Sequence, residues 1–327
     1  MWIFGSWLKD ALWLYFPGLL ALTLAAALRP DEQTWGFFIF AFVAQAVLDS
    51  GHVYTTLWRT YFHPVERRRL RLYLWMPPLL FAVFFLWSWT AAPYLGAFIV
   101  YATIFHNVRQ FYGLSKWYQR LNGRYRTDSD HLLYFLCLVP VALAHFRSDI
   151  EWSSYYTRAD VVFWPQPELF KFSLYVYSAV ALFWLLFEAR LVVQNRNEWP
   201  RTLSVAFPAL IYGSAFLLGR NQSEILFPLV VSHGVAYIAL VGLSMRRIGQ
   251  PRVRPKLAIG LVFLTAIVAG SLERWGESQV DFADPHMAFF VALVLTPLFC
   301  HYVFDAFLWK RSHPESARIY RPAAALN

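Results

Sequence analysis

Charge is scarce in this chain. Only 15% of its 327 residues are Asp, Glu, Lys or Arg, against about 25% in an average soluble domain, and 58% are hydrophobic. An ordinary water-soluble globular domain is therefore excluded. Cysteine is nearly absent as well: Cys137 and Cys300 lie in separate apolar stretches without CxxC spacing, which leaves neither a disulfide framework nor a thiolate metal site. HExxH and GxSxG do not occur, so zincin-type proteolysis and α/β-hydrolase chemistry have no motif to rest on. No two histidines are closer than eleven positions, which excludes the paired histidine boxes of membrane desaturases and hydroxylases.

Long apolar runs are plentiful. Hydropathy predicts an all-α polytopic membrane bundle of ten crossings, at about 11–28, 35–58, 72–90, 93–115, 131–147, 168–190, 202–218, 225–244, 257–272 and 286–309. Each is long enough, at about 1.5 Å per residue, to approach or cover a hydrocarbon core of about 30 Å. Residues 1–28 offer only Lys9 as a basic n-region and lead into further spans, so they count as the first helix rather than a signal peptide. No soluble domain, long linker or repeat remains, and the chain is expected to be a single integral-membrane domain over 1–327.

The formal net charge of +9 follows topology. Runs such as Arg67-Arg68-Arg69, Arg246-Arg247 with Arg252 and Arg254, and Lys310-Arg311 fall in alternate loops, while the opposite loops hold only Arg29, Arg147, Arg158, Lys171, Arg220 and Arg274. By the positive-inside rule both termini are cytoplasmic, and a multi-pass protein of the bacterial inner membrane is expected. With its basic residues accounted for by insertion, the chain presents no soluble basic face for nucleic acid.

Four histidines stand apart. His52 lies seven residues before Arg59, His106 ten before Lys116, His301 nine before Lys310 and His233 thirteen before Arg246. These separations are roughly 10, 15, 14 and 20 Å of helix, so all four sit at similar depth on inward-running helices. Polar groups in hydrocarbon are costly and mark function, and neutral imidazole is the commonest metal ligand. Side chains at one depth on different helices of a bundle can converge on an ion, so the four are the candidate ligands. His63, His131, His145, His286 and His313 fall at ends or loops and need no such role.

Three of the four have polar companions at helical spacing: Asp49 before His52, Gln110 after His106 and Asp305 after His301. Metal-bound imidazole gives its other N–H to a carboxylate or carbonyl, so these residues are expected to orient the ligands or to bind metal themselves. His233 is accompanied by Ser232 and, one turn on, Tyr237. Arg109 is expected to turn inward to pair with an aspartate, and Glu188 to contribute from the sixth helix. Pro228 and Pro297 precede His233 and His301, where bent helices would widen a pocket.

At these residues the chain resembles the Brp/Blh family of membrane-embedded β-carotene 15,15′-dioxygenases. Leu295-Thr296-Pro297 leading to His301-Tyr302-Val303-Phe304-Asp305 is similar to the family's late His-x-x-x-Asp motif, the segment from His106 to Gly113 to its His-Phe-Gly helix, and Ser232-His233 to its penultimate motif. Tyr237 stands where that motif tends to offer a second histidine, and in Asp49-Ser50-Gly51-His52 the acid precedes the histidine, on the second helix rather than the first. The resemblance implies a histidine-held non-haem iron and cleavage of a carotenoid double bond with O2.

The combined expectation is a metal-dependent oxidoreductase embedded in lipid. Fe(II) would be held by His52, His106, His233 and His301, with Asp49, Asp305, Gln110 and Tyr237 around it, and would use O2 on a carotenoid, isoprenoid or lipid substrate. The aromatic residues, 15 Trp, 18 Tyr and 30 Phe, exceed what interfacial belts require and suit packing between helices or an apolar cavity. Two other classes stay open. A transporter would use the histidines and acids as a proton or metal relay, and a haem-binding electron carrier would use them as axial ligands.

Overall fold

The computed structural model describes residues 1–28, 34–91, 93–123, 128–152, 156–157, 160–248 and 255–309. Arg29, Arg124, Arg126, Arg158, Arg252, Arg254 and the segment from Lys310 onward, which includes His313, lie outside them. The described residues are helical and contain no strand beyond an isolated bridge of Glu151 with Asn221. The helices are α1 Trp7–Ala27, α2 Trp35–Arg59, α3 Leu70–Trp89, α4 Leu95–Leu121, α5 Asp128–Ala144, α6 Pro167–Val193, α7 Trp199–Leu218, α8 Gln222–Ile248, α9 Pro255–Glu277 and α10 Ala288–Leu308.

Eight of them are long and apolar enough to cross a membrane, fewer than the ten crossings expected, because α4 and α5 do not qualify. Along α4 the run His106, Asn107, Arg109 and Gln110 interrupts the apolar pattern. α5 has 17 residues, which rise only about 25 Å. Prolines start α6 and α7, where a missing N–H costs nothing. Pro77, Pro78, Pro140, Pro208, Pro228 and Pro297 lie inside helices, as membrane helices tolerate.

The chain divides into two compact units. One comprises Met1–Ala27, Val100–Ser153 and Val161–Leu229, with α5 packed on α6 and α7, and α1 on α7. Its buried charges are locally satisfied. Asp10 accepts from the backbone N–H of Ile3 and Phe4 at 2.8 and 2.7 Å and from the Tyr118 hydroxyl. Glu188 is bound by Arg201 Nη2 at 2.6 and 2.8 Å and by Thr202 Oγ1 at 2.6 Å. Glu188 therefore serves an ion pair between α6 and α7. Arg109 is exposed on α4 rather than turned inward.

The second unit comprises Leu28–Ile99, Ser154–Asp160 and Val230–Asn327. It contains α2, α3, α9, α10 and α8 from Val230 onward. α10 packs along α3 through Tyr73 against Phe304 and Phe84 against Phe299, with ring centroids 4.9 and 4.6 Å apart. The outward side of α3 bears Trp75, Leu79 and Leu86, all exposed, as a surface facing lipid would be. α2 is irregular: Val43–Ser50 is a π-helix, the wide-turn form that recurs at functional sites. Backbone approach there is close. A Cβ on Gly270 of α9 would lie 2.0 Å from the Ala46 carbonyl oxygen, and one on Gly234 of α8 would lie 2.1 Å from that of Leu48. Only glycine permits such proximity, and small residues are the usual means by which membrane helices approach closely.

Candidate metal centre

His52 of α2, His233 of α8 and His301 of α10 meet inside the second unit. Their exposures are 2, 1 and 1%, and they can offer one nitrogen each with all three within 4.8 Å of one another. The His52 and His233 Nε2 atoms are 3.1 Å apart. His52 crosses both partners nearly at right angles, its ring centroid 4.7 Å from that of His233 and 4.9 Å from that of His301.

Local structure fixes the His52 ring. Its Nδ1 lies 2.7 Å from the Leu48 carbonyl oxygen one turn back. A carbonyl only accepts, so Nδ1 carries the proton and the Nε2 lone pair faces His233. The backbone of Leu48 and Asp49, not the Asp49 carboxylate, thus holds this ring. Asp49 interacts instead with Glu277 and Arg274 of α9.

His301 is held by side chains. Its Nδ1 is 2.8 Å from Thr56 Oγ1, which is 2.9 Å from the Tyr237 hydroxyl, and that hydroxyl donates to Asp305 Oδ1 at 2.7 Å. Asp305 Oδ2 lies 3.8 Å from His301 Nε2. Tyr237 closes the group, its ring centroid 4.7 Å from His301 and 5.5 Å from His52. The Arg59 guanidinium, buried in the same unit, sits 5.8 Å over the Trp309 ring.

Five of the residues singled out by sequence, His52, His233, Tyr237, His301 and Asp305, are therefore brought together. His106 and Gln110 are on α4 in the other unit. Thr56, one helical turn after His52 and on its face, joins the group with no motif to mark it in the sequence, as does Gly234, whose missing side chain lets α8 reach α2.

The donor set suits a metal. Two nitrogens bound to one ion at about 2.1 Å are separated by about 3.0–3.4 Å at octahedral or tetrahedral angles, and the observed 3.1 Å falls in that range. It would also be a hydrogen bond if His233 Nε2 were protonated. Three imidazoles with a nearby carboxylate are the ligand types that non-haem iron accepts.

The Asp49 end of α2 holds a different group. Glu273 is hydrogen-bonded by Tyr54 and Ser50 and lies near Asp49 and Glu277, while Arg274 bonds Glu277 at 2.8 Å. A cavity of about 530 Å³ opens beside it, lined by Arg274, Glu277, Gln279 and Asp281 with Tyr156, Phe282 and Met287. This polar wall does not supply the apolar chamber that the aromatic content suggests.

Of the remaining histidines, His145 is engaged by the Val162 carbonyl and the Tyr101 hydroxyl. The backbone N–H of His286 donates to the Asp284 carboxylate at a helix start. Comparison of the chain with family models, curated proteins and solved structures finds no match.

Proposed function

We propose that the chain is a membrane-embedded non-haem iron oxygenase, with Fe(II) held by His52, His233 and His301, acting with O2 on a hydrophobic carotenoid, isoprenoid or lipid substrate. The observation that carries this reading is the convergence of three buried imidazoles, two with their Nε2 atoms 3.1 Å apart. The Brp/Blh resemblance around His301 and Asp305 points the same way. Bacterial inner-membrane insertion with both termini cytoplasmic belongs to the same proposal.

Ferrous iron, when bound, supplies the electrons that activate O2. The protein supplies the rest. The Leu48 carbonyl and Thr56 aim two imidazoles, and burial of all three rings keeps bulk water away. The Tyr237 hydroxyl, 2.7 Å from Asp305 Oδ1, holds a proton beside the histidines and is the group placed to donate one.

Metal analysis and an optical spectrum of the purified protein test the proposal. The expected result is a transition metal in stoichiometric amount, lost in His52→Ala, His233→Ala and His301→Ala, with no Soret band. A protein without stoichiometric metal whose three variants keep full activity would overturn it. Uptake of protons or metal ions by sealed vesicles would instead favour transport.

A further inference from the structure

We infer that Thr56 is a positioning residue that sets which nitrogen of His301 faces the cluster, acting through a proton-ordered line of four side chains. The consequence for metal binding rests on the proposed function; the proton order itself does not.

The order follows from donor counting. With Asp305 ionised, its carboxylate only accepts, so the Tyr237 hydroxyl, 2.7 Å from Oδ1, spends its single proton there. The contact of 2.9 Å between Tyr237 and Thr56 then requires a proton from Thr56, since tyrosine has no second one to give. Thr56 Oγ1 is thereby left as an acceptor toward His301, and the contact of 2.8 Å requires the proton to sit on Nδ1. Each contact carries one proton only in the direction His301 to Thr56 to Tyr237 to Asp305. The His301 Nε2 lone pair then faces the other imidazoles, as that of His52 does by a different route, through the Leu48 carbonyl.

A valine has the shape of threonine but cannot accept this hydrogen bond, whereas serine can. In full-length metal-free protein carrying ¹⁵N-labelled histidine, solid-state NMR should show His301 protonated at Nδ1, identified by loss of its signals in His301→Gln. Thr56→Val should move the proton toward Nε2 and Thr56→Ser should not, while the His52 signals stay unchanged as an internal control. Competition with a coloured chelator for Co(II) should give a 10- to 100-fold loss of affinity in Thr56→Val, the scale seen when a ligand's orienting partner is removed. Thr56→Ser should keep wild-type affinity.

An unshifted His301 tautomer with undiminished affinity in Thr56→Val would overturn the inference. Should Thr56→Val fail to fold, Thr56→Ala removes the same acceptor, and an unchanged His301 tautomer there is equally fatal. A wild-type protein that has the expected tautomer but binds no metal would sink the proposed function while leaving the proton order standing.

Discussion

Adding one methyl group at Gly234 should dismantle the histidine cluster without touching a histidine. The new Cβ would lie 2.1 Å from the Leu48 carbonyl oxygen, 2.8 Å from its carbon and 3.1 Å from the Leu48 Cβ. Relief requires α8 and α2 to part by about 1.3 Å or more to reach ordinary contact distances. His233 is the neighbouring residue, so its Nε2 moves from 3.1 Å to about 4 Å from that of His52, beyond the about 3.4 Å that one ion spans at tetrahedral angles. The same oxygen accepts the His52 Nδ1 proton, so both rings are disturbed.

Overpacking of this kind costs about 1–3 kcal/mol, and a misplacement of about 1 Å can cost on the order of 100-fold in a geometry-dependent process. Metal affinity of Gly234→Ala, measured by chelator competition, should therefore fall at least about tenfold together with a lowered Tm. Gly260→Ala on α9 is the matched control, because its Cβ meets nothing within 4 Å; its expected effect is neutral or a gain of about 0.4–1 kcal/mol. Wild-type metal affinity in Gly234→Ala would refute the close-approach argument.

Three further outcomes are expected. Arg201→Ala strands the buried Glu188 carboxylate and should cost about 3–5 kcal/mol, whereas the double variant Glu188→Gln/Arg201→Met should recover much of the loss; thermal unfolding in detergent reads both. The Arg147 guanidinium holds the Asp149 carboxyl below its ordinary 3.8. A lowered folded-state value stabilises above pH 3.8 and is lost as pH falls below it, so Asp149→Asn should flatten the acid limb of Tm against pH, and only slightly, since the carboxylate is 66% exposed. Tyr237→Phe should leave the metal stoichiometry intact while depressing turnover on a supplied carotenoid, and an unchanged rate would remove the tyrosine from the chemistry.

Much of the helical layout was legible because hydropathy runs and helix lengths are properties of single segments. α4 and α5 departed from it where polar residues or a short rise broke the apolar pattern. Counting residues from the basic loops grouped His52 with His106, His233 and His301, and the three that share the second unit meet there, since depth in a bundle depends only on rise. What sequence spacing does not reveal is how each helix is turned about its axis. Asp49 illustrates this. Its three-residue offset from His52 implies a shared face only in a regular α-helix, but Asp49 lies in the π segment Val43–Ser50 and interacts with Glu277 and Arg274 on α9. Thr56 was passed over for a different reason. A threonine in an apolar helix looks unremarkable until Tyr237 and His301 arrive from other helices on either side of its hydroxyl.

The wide turn of α2 also bears on how this chain can change. Removing one residue between Val43 and Ser50, so that the stretch winds as a regular helix at 3.6 rather than about 4.4 residues per turn, would rotate the preceding half of α2 against the following half by roughly 45°. With the first half held in place by its lipid-facing surface, His52, Thr56 and Arg59 would swing away as a block. Point substitutions in this segment can be absorbed one at a time, but a single-codon deletion would misdirect the whole following half of the helix at once. The length of Val43–Ser50 should therefore be more strictly constrained than its composition.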